Sequence, residues 1–113
     1  MTPRLVSSLV VNALIRRVGA AGGIGTVVAK GDATAGALLL SCCERGVTRR
    51  LIERVLDLAG VYRWADVGPD LPNQEAVVSD YLTRRRRSDP DLWILELDIA
   101  GVERFAAEIV AEG

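Results

Sequence analysis

Apolar residues recur at helical spacing from Pro3 to about Val18, with Val6, Leu9, Val10, Ala13 and Leu14 along one stripe. Gly19, Gly22 and Gly23 end that helix. IGTVVAK, residues 24–30, is rich in β-branched residues and predicts a strand. Gly31–Gly36, GDATAG, reads as a hairpin loop, with glycines free to take positive φ and Asp32 placed to accept hydrogen bonds from the N–H groups just beyond it. ALLLSCC, residues 37–43, is apolar without interruption, as in a strand buried on both faces. Glu44-Arg45-Gly46 makes the next turn, and VYRWADV, residues 61–67, another strand. GPDLPN breaks the chain at 68–73, and Asp70 or Asn73 can cap a helix whose buried stripe is Val77, Val78, Tyr81 and Leu82. Pro90 disfavours helix at Asp89 and ends it. LWILELD then alternates, with Leu92, Ile94, Glu96 and Asp98 on one face and Trp93, Leu95 and Leu97 on the other. Val102, Phe105, Ala106 and Ile109 mark a last amphipathic helix.

The segment between is ambiguous. Val47, Leu51, Val55 and Leu58 have helical spacing, yet Thr48–Leu56 also has the length and composition of a strand.

Composition narrows the chemistry. The 113 residues suit one domain able to bury a core without staples. Half are hydrophobic but only 4% aromatic, so the core is aliphatic. Histidine is absent, which removes the usual general base, metal ligand and pH switch near neutrality. Cys42 and Cys43 are adjacent, so in a strand they point to opposite faces; the expectation is a buried, reduced pair in a cytoplasmic protein, with no zinc site. Arg16 and Arg17 fall where a secretory signal would stay uncharged, so the first helix reads as part of the mature protein. No uncharged run approaches the ~20 residues of a membrane span.

Net charge is −1, but residues 1–60 carry eight basic and four acidic side chains, and residues 61–113 carry six basic and eleven acidic. The two halves have opposite charge, which favours attraction within the fold or between copies. The glycines of GAAGGIGTVV follow a helix and precede a strand, the reverse of the order that a dinucleotide site requires. GDATAG has no following Lys-Ser/Thr and is not a phosphate loop.

Arg84, Arg85, Arg86 and Arg87 are the strongest candidate feature. Successive helical residues are ~100° apart, so the four sweep around the helix and cannot all face one ligand. Arg85 continues the stripe of Val78 and Leu82, which lays its stem over the sheet, while Arg86 and Arg87 suit the negative helix end. From Asp80 to Asp98 the four arginines meet five carboxylates, which argues against a nucleic-acid patch. The bland expectation is a helix end tied to the next turn by Arg–Asp pairs.

Taken together, ALIRR, KGDATAG, GVYRW and above all YLTRRRRSDPDLWILELD resemble the family catalogued as domain of unknown function 1491, small bacterial proteins of about this length. The resemblance runs from about Leu5 to Phe105 and implies no activity, cofactor or catalytic residue. It implies a strand, a turn near AG and a Tyr-x-Trp strand, which assigns Thr48–Leu56 to a strand.

The expected fold is a single α+β domain. A helix leads into an antiparallel meander of about four strands, followed by a second helix, a fifth strand and a last helix, with the helices on one face of the sheet. The expected function is a non-enzymatic protein-interaction or self-association module, such as a homodimer, without cofactor, metal or membrane. Trp64 and Trp93 among the arginines support that interaction reading; the alternative is a small-molecule or anion-binding protein with Arg84–Arg87, Asp89, Asp91 and Asp32 around a shallow site. An enzyme working through carboxylates alone is a third, weaker expectation.

Overall fold

The computed structural model describes residues 6–69 and 74–112, with side chains as far as Ala107. Pro3, Asp70 and Asn73, and the side chain of Ile109, lie outside the described residues. The elements are α1 (Ser7–Ala20), β1 (Ile24–Ala29), β2 (Leu38–Glu44), β3 (Val47–Leu56), β4 (Tyr62–Asp66), α2 (Glu75–Ser88), β5 (Trp93–Asp98) and α3 (Val102–Glu112). No described helix is long and apolar enough to cross a membrane.

The five strands form one sheet in the order β1-β5-β2-β3-β4. All pairs are antiparallel except β2 with β5. This is the expected α+β class with a different internal order. The meander covers β2-β3-β4 only, and β5 inserts between β1 and β2, so GDATAG is not a hairpin loop. Burial explains the insertion. Leu38, Leu39 and Leu40 of β2 and Trp93, Ile94 and Leu95 of β5 are apolar on both faces and are all buried. Strands of that kind stabilise the fold only at the centre of a covered sheet, at roughly 1.5–3 kcal/mol for each large side chain removed from water.

The helices also divide differently from expectation, lying on both faces rather than one. Leu38, Leu40, Cys42, Ile52, Leu95 and Leu97 pack under α1 and α3, against Val10, Leu14, Val18, Val102 and Ala106. Leu39, Leu51, Leu92 and Ile94 face the other way and meet Val78, Tyr81 and Leu82 of α2. One face is therefore sealed by two helices, and the other is partly roofed by one.

β3 is a strand, as the resemblance implied. Leu51 and Ile52 are consecutive and both buried, on opposite faces, an arrangement that a half-buried helix does not give. The helical stripe fails at its ends, where Val47 is exposed and Leu58 lies wholly in solvent. Arg45 and Gly46, both at positive φ, form the two-residue turn between β2 and β3. Asp98 holds that turn by accepting Arg45 N–H at 2.9 Å and Gly46 N–H at 2.7 Å.

The Gly31–Gly36 loop crosses over the start of β5. A Cβ on Gly31 or on Gly36 would meet the Asp91 carbonyl oxygen, so these glycines serve close backbone approach and not positive φ. Asp32 N–H donates to Asp91 O at 3.0 Å, and Trp93 N–H to Ala37 O at 2.8 Å. The same loop caps α1: Ser7 N–H reaches Thr34 O at 3.2 Å, Ser8 N–H reaches Ala33 O at 2.9 Å, and the Ser7 hydroxyl donates to Gly36 O at 2.6 Å.

Two glycine substitutions should therefore act with opposite signs. Gly36→Ala is expected to cost about 2–3 kcal/mol, because all three obstructing atoms are backbone. Gly19→Ala, in α1 with open space around it, is expected to stabilise by about 0.5–1 kcal/mol. Urea denaturation measures both, and a Gly36→Ala midpoint equal to wild type would refute the crossing.

Candidate functional site

The sequence placed its candidate site at the junction of α2 and β5. The structure brings some of those residues together and separates others. Arg84 Nε lies 3.2 Å from Asp80 Oδ2, an exposed pair one turn apart. Arg85 reaches over the sheet to β3, with Nη1 2.6 Å from Glu53 Oε1 and also donating to the Tyr81 hydroxyl at 2.9 Å. The hydrogen bond to Glu53 raises the Arg85 pKa above its ordinary value. Arg86 takes neither course: its Nη1 donates to two backbone carbonyls, Lys30 O at 2.8 Å and Leu92 O at 2.7 Å. Arg87 is exposed at the helix end.

The carboxylates at the junction serve the backbone instead of the arginines. Asp89 Oδ1 accepts Asp91 N–H at 3.1 Å, closing the turn around Pro90. Asp32 Oδ2 accepts Thr34 N–H at 3.2 Å and Ala35 N–H at 2.8 Å, as its position in the loop suggested. Trp93 is only 4% exposed, and its indole N–H donates to Asp32 O at 2.7 Å. Asp32, Arg86, Asp91 and Trp93 thus meet in one junction, but through main-chain groups. The Arg–Asp pairs expected there are replaced by Arg86 to carbonyls and by Arg85 to Glu53.

Opposite charge in the two halves of the sequence is used within the fold. Arg50 on β3 binds Asp66 through Nε at 2.5 Å and Nη2 at 3.0 Å, and Glu103 of α3 through Nη1 at 3.2 Å. The hydrogen bond from Arg50 holds the Asp66 carboxyl below its ordinary range. Trp64, the other tryptophan, donates from its indole to Ala106 O at 3.0 Å and fastens α3 to β4. Cys42 and Cys43 are free and buried, and burial pushes the Cys42 thiol up to about 12.

Two features were not singled out by the sequence. The first is a cleft of about 540 Å³ between α2 and the half-roofed face of the sheet. Val28, Ile94 and Glu96 line its floor with Ser41 and Thr48, and Val78, Leu82 and Arg86 line its α2 wall. Glu96 stands opposite Thr26 on β1 and Ser41 on β2, and is exposed. Its carboxylate makes no hydrogen bond or ion pair among the described residues. The signal was present: Glu96 and Asp98 are the charged members of the Leu92–Ile94 face of LWILELD, and Asp98 is taken up by the β2–β3 turn.

The second is the outer edge of β1. This strand pairs with β5 alone, and Ile24, Val27 and Val28 are exposed at 69%, 41% and 53%. It contains no charged residue and no proline. A register shift between Val27 and Ala29 bulges its far end and leaves Ile24–Val27 as the regular stretch. The opposite edge, β4, carries Arg63 and Asp66.

Residues 5–107 match the family model described as "Protein of unknown function (DUF1491)". A crystal structure of a DUF1491 family protein from Caulobacter crescentus CB15 is 33% identical, covering 89% of this chain and 94% of that one, with a TM-score of 0.77. An NMR structure of a DUF1491 family protein from the same organism is 30% identical over 92% of this chain and 94% of that one, with a TM-score of 0.73. The solution structure of protein Atu0922 from A. tumefaciens is 31% identical over 86% and 87%, with a TM-score of 0.69. No curated protein matches.

Arg85→Ala is expected to destabilise by about 1–3 kcal/mol, since it strands the largely buried Glu53 carboxylate. In thermal melts the double variant with Glu53→Ala should lose less than the two single losses combined, and additive losses would mean the pair is not coupled. Both cysteines should resist a thiol reagent in the native protein and react on unfolding, whereas rapid native labelling would contradict their burial.

Proposed function

The chain belongs to the DUF1491 family, and from its geometry we propose that it works by association, as a small cytoplasmic bacterial protein that pairs with a second copy along β1. The observation that carries this is the unguarded β1 edge. Natural sheets blunt exposed edges with charge, proline or cover, because unpaired N–H and C=O groups recruit other strands. β4 follows that rule with Arg63 and Asp66, and β1 does not. Exposed Ile24 and Val27 add apolar area beside the free backbone groups. An uncharged edge also carries no repulsion against its own copy, so an antiparallel β1–β1 contact closes as a two-fold dimer. The two free thiols, buried and reduced, suit a cytoplasmic setting.

The alternative, an anion site on the arginine run, has less support. Arg84 is engaged by Asp80, Arg85 by Glu53 and Tyr81, and Arg86 by two carbonyls, which leaves Arg87 as the arginine of the run that is exposed and has no side-chain bond among the described residues.

Light scattering across a concentration series tests the proposal. Wild type is expected to be a dimer that dissociates on dilution. Ile24→Lys combined with Val27→Lys is expected to be a folded monomer, because lysines on an edge block strand addition. A wild-type monomer at high concentration, or a dimer unaffected by both lysines, overturns it.

A further inference from the structure

We propose that the cleft beside α2 is a binding site for a small organic cation with an aliphatic body, an alkylamine. The site borders the β1 edge through Val28, but neither Ile24 nor Val27 lines it.

Its volume of about 540 Å³ falls in the range of small-molecule sites, ~300–1,000 Å³. Its walls supply an apolar surface through Val28, Val78, Leu82 and Ile94. Its charge is set by Glu75, in the first turn of α2, and Glu96, on the central strand β5, against Arg86 alone. Arg86 does not neutralise them. Its guanidinium is drawn to Lys30 O and Leu92 O, and no ion pair joins it to either glutamate among the described residues. With two carboxylates to one guanidinium, the lining of the cleft is net negative.

The position of Glu96 is the sharper observation. On the same face of β5, Leu92 and Ile94 are buried, and Thr26 and Ser41 flank Glu96 on the neighbouring strands. The Ser41 hydroxyl lies 3.3 Å from that of Thr48, which continues the polar strip toward β3. An exposed carboxylate beside apolar walls, with no ion pair among the described residues, is open to a ligand that brings its own positive charge. An ammonium group at Glu96, with hydroxyl acceptors beside it and a hydrocarbon chain along Val28, Leu82 and Ile94, satisfies the charge and the apolar surface together. The cleft suits an extended ligand, because Glu75 and Arg86 are eleven residues apart on α2, or ~16 Å along its axis.

The test titrates ¹⁵N-labelled protein with n-hexylamine, hexan-1-ol and hexanoate at millimolar concentrations and follows amide shifts. Hexylamine is expected to move the signals of Val28, Ser79, Leu82, Ile94 and Glu96 saturably and to bind tighter than the alcohol, with hexanoate weakest. Glu96→Gln should weaken hexylamine about tenfold, as loss of a charged hydrogen bond does. Ser79→Lys, which puts a cation on the α2 wall away from β1, should weaken it as well and keeps the test open should Glu96→Gln fail to fold. A blocked lysine distinguishes a free amine from a protein side chain, and hexylamine should bind more tightly. The proposal is overturned by equal binding of alcohol or hexanoate, by shifts outside the cleft or none at all, by affinity unchanged in the folded variants, or by preference for the blocked lysine. Dimerisation is read separately, so failure here leaves the β1 proposal standing and the reverse.

Discussion

The crossing of the Gly31–Gly36 loop over the Asp91–Trp93 backbone is the constraint on which the other contacts depend. At this point a segment leaving β1 passes over the residues entering β5, so close that two positions cannot carry a Cβ. Three elements are fixed there. The loop carbonyls of Ala33, Thr34 and Gly36 terminate α1. The main chain of Asp32 and Ala37 receives Trp93 and aligns β5 beside β2. Lys30 O and Leu92 O, on either side of the crossing, hold Arg86 and with it the end of α2. Opening the crossing would free a helix start, a central strand and a helix end together.

The sheet order follows from the same geometry. β2, β3 and β4 are joined by short turns and pair locally, whereas β5 returns after α2 to take the central place. Its closure cost grows only slowly with the intervening length, and its apolar residues on both faces offset that cost. Placing β5 at the centre displaces β1 to the rim. The edge that we propose for self-association is thus a consequence of central burial: the strand with the least to bury is left outermost, with its hydrogen-bonding side free.

Much of this was legible in the sequence. Periodicity and composition located the helices and the other four strands, the family resemblance assigned β3, and Pro90 fixed the α2–β5 junction. The order of strands was not legible, because a buried apolar run specifies that a strand has neighbours without specifying which. GDATAG looked like a hairpin for the same reason: glycine permits both a tight turn and a close crossing, and only the tertiary partner, Asp91, distinguishes them. β3 resembled a helix because Leu51 and Ile52 bury to opposite sides while Val47 and Val55 extend the four-residue spacing by coincidence. For the site, helix geometry correctly sent Arg85 over the sheet. The partners of the run were not legible, since carbonyl oxygens leave no mark in a side-chain inventory and Arg86 uses two of them.

That last point bears on how a basic run should be understood. Four adjacent arginines look like an electrostatic device, yet of the acids around them Asp80 alone pairs with the run among the described residues, while Asp89 and Asp98 hold turns. The run does three structural jobs: a one-turn pair at Arg84, a pair across to β3 at Arg85, and a clamp on the loop crossing at Arg86. The guanidinium suits the third job because one nitrogen can serve two carbonyls at once while the stem lies along the sheet. Once Arg86 is held in this way it cannot fold back to cancel Glu96, so the clamp that fixes α2 also leaves the carboxylate beside it uncompensated. Three of the four arginines that looked most functional in the sequence are thereby held by protein groups, and the charge that Arg86 leaves unanswered is the one on which the cleft's chemistry turns.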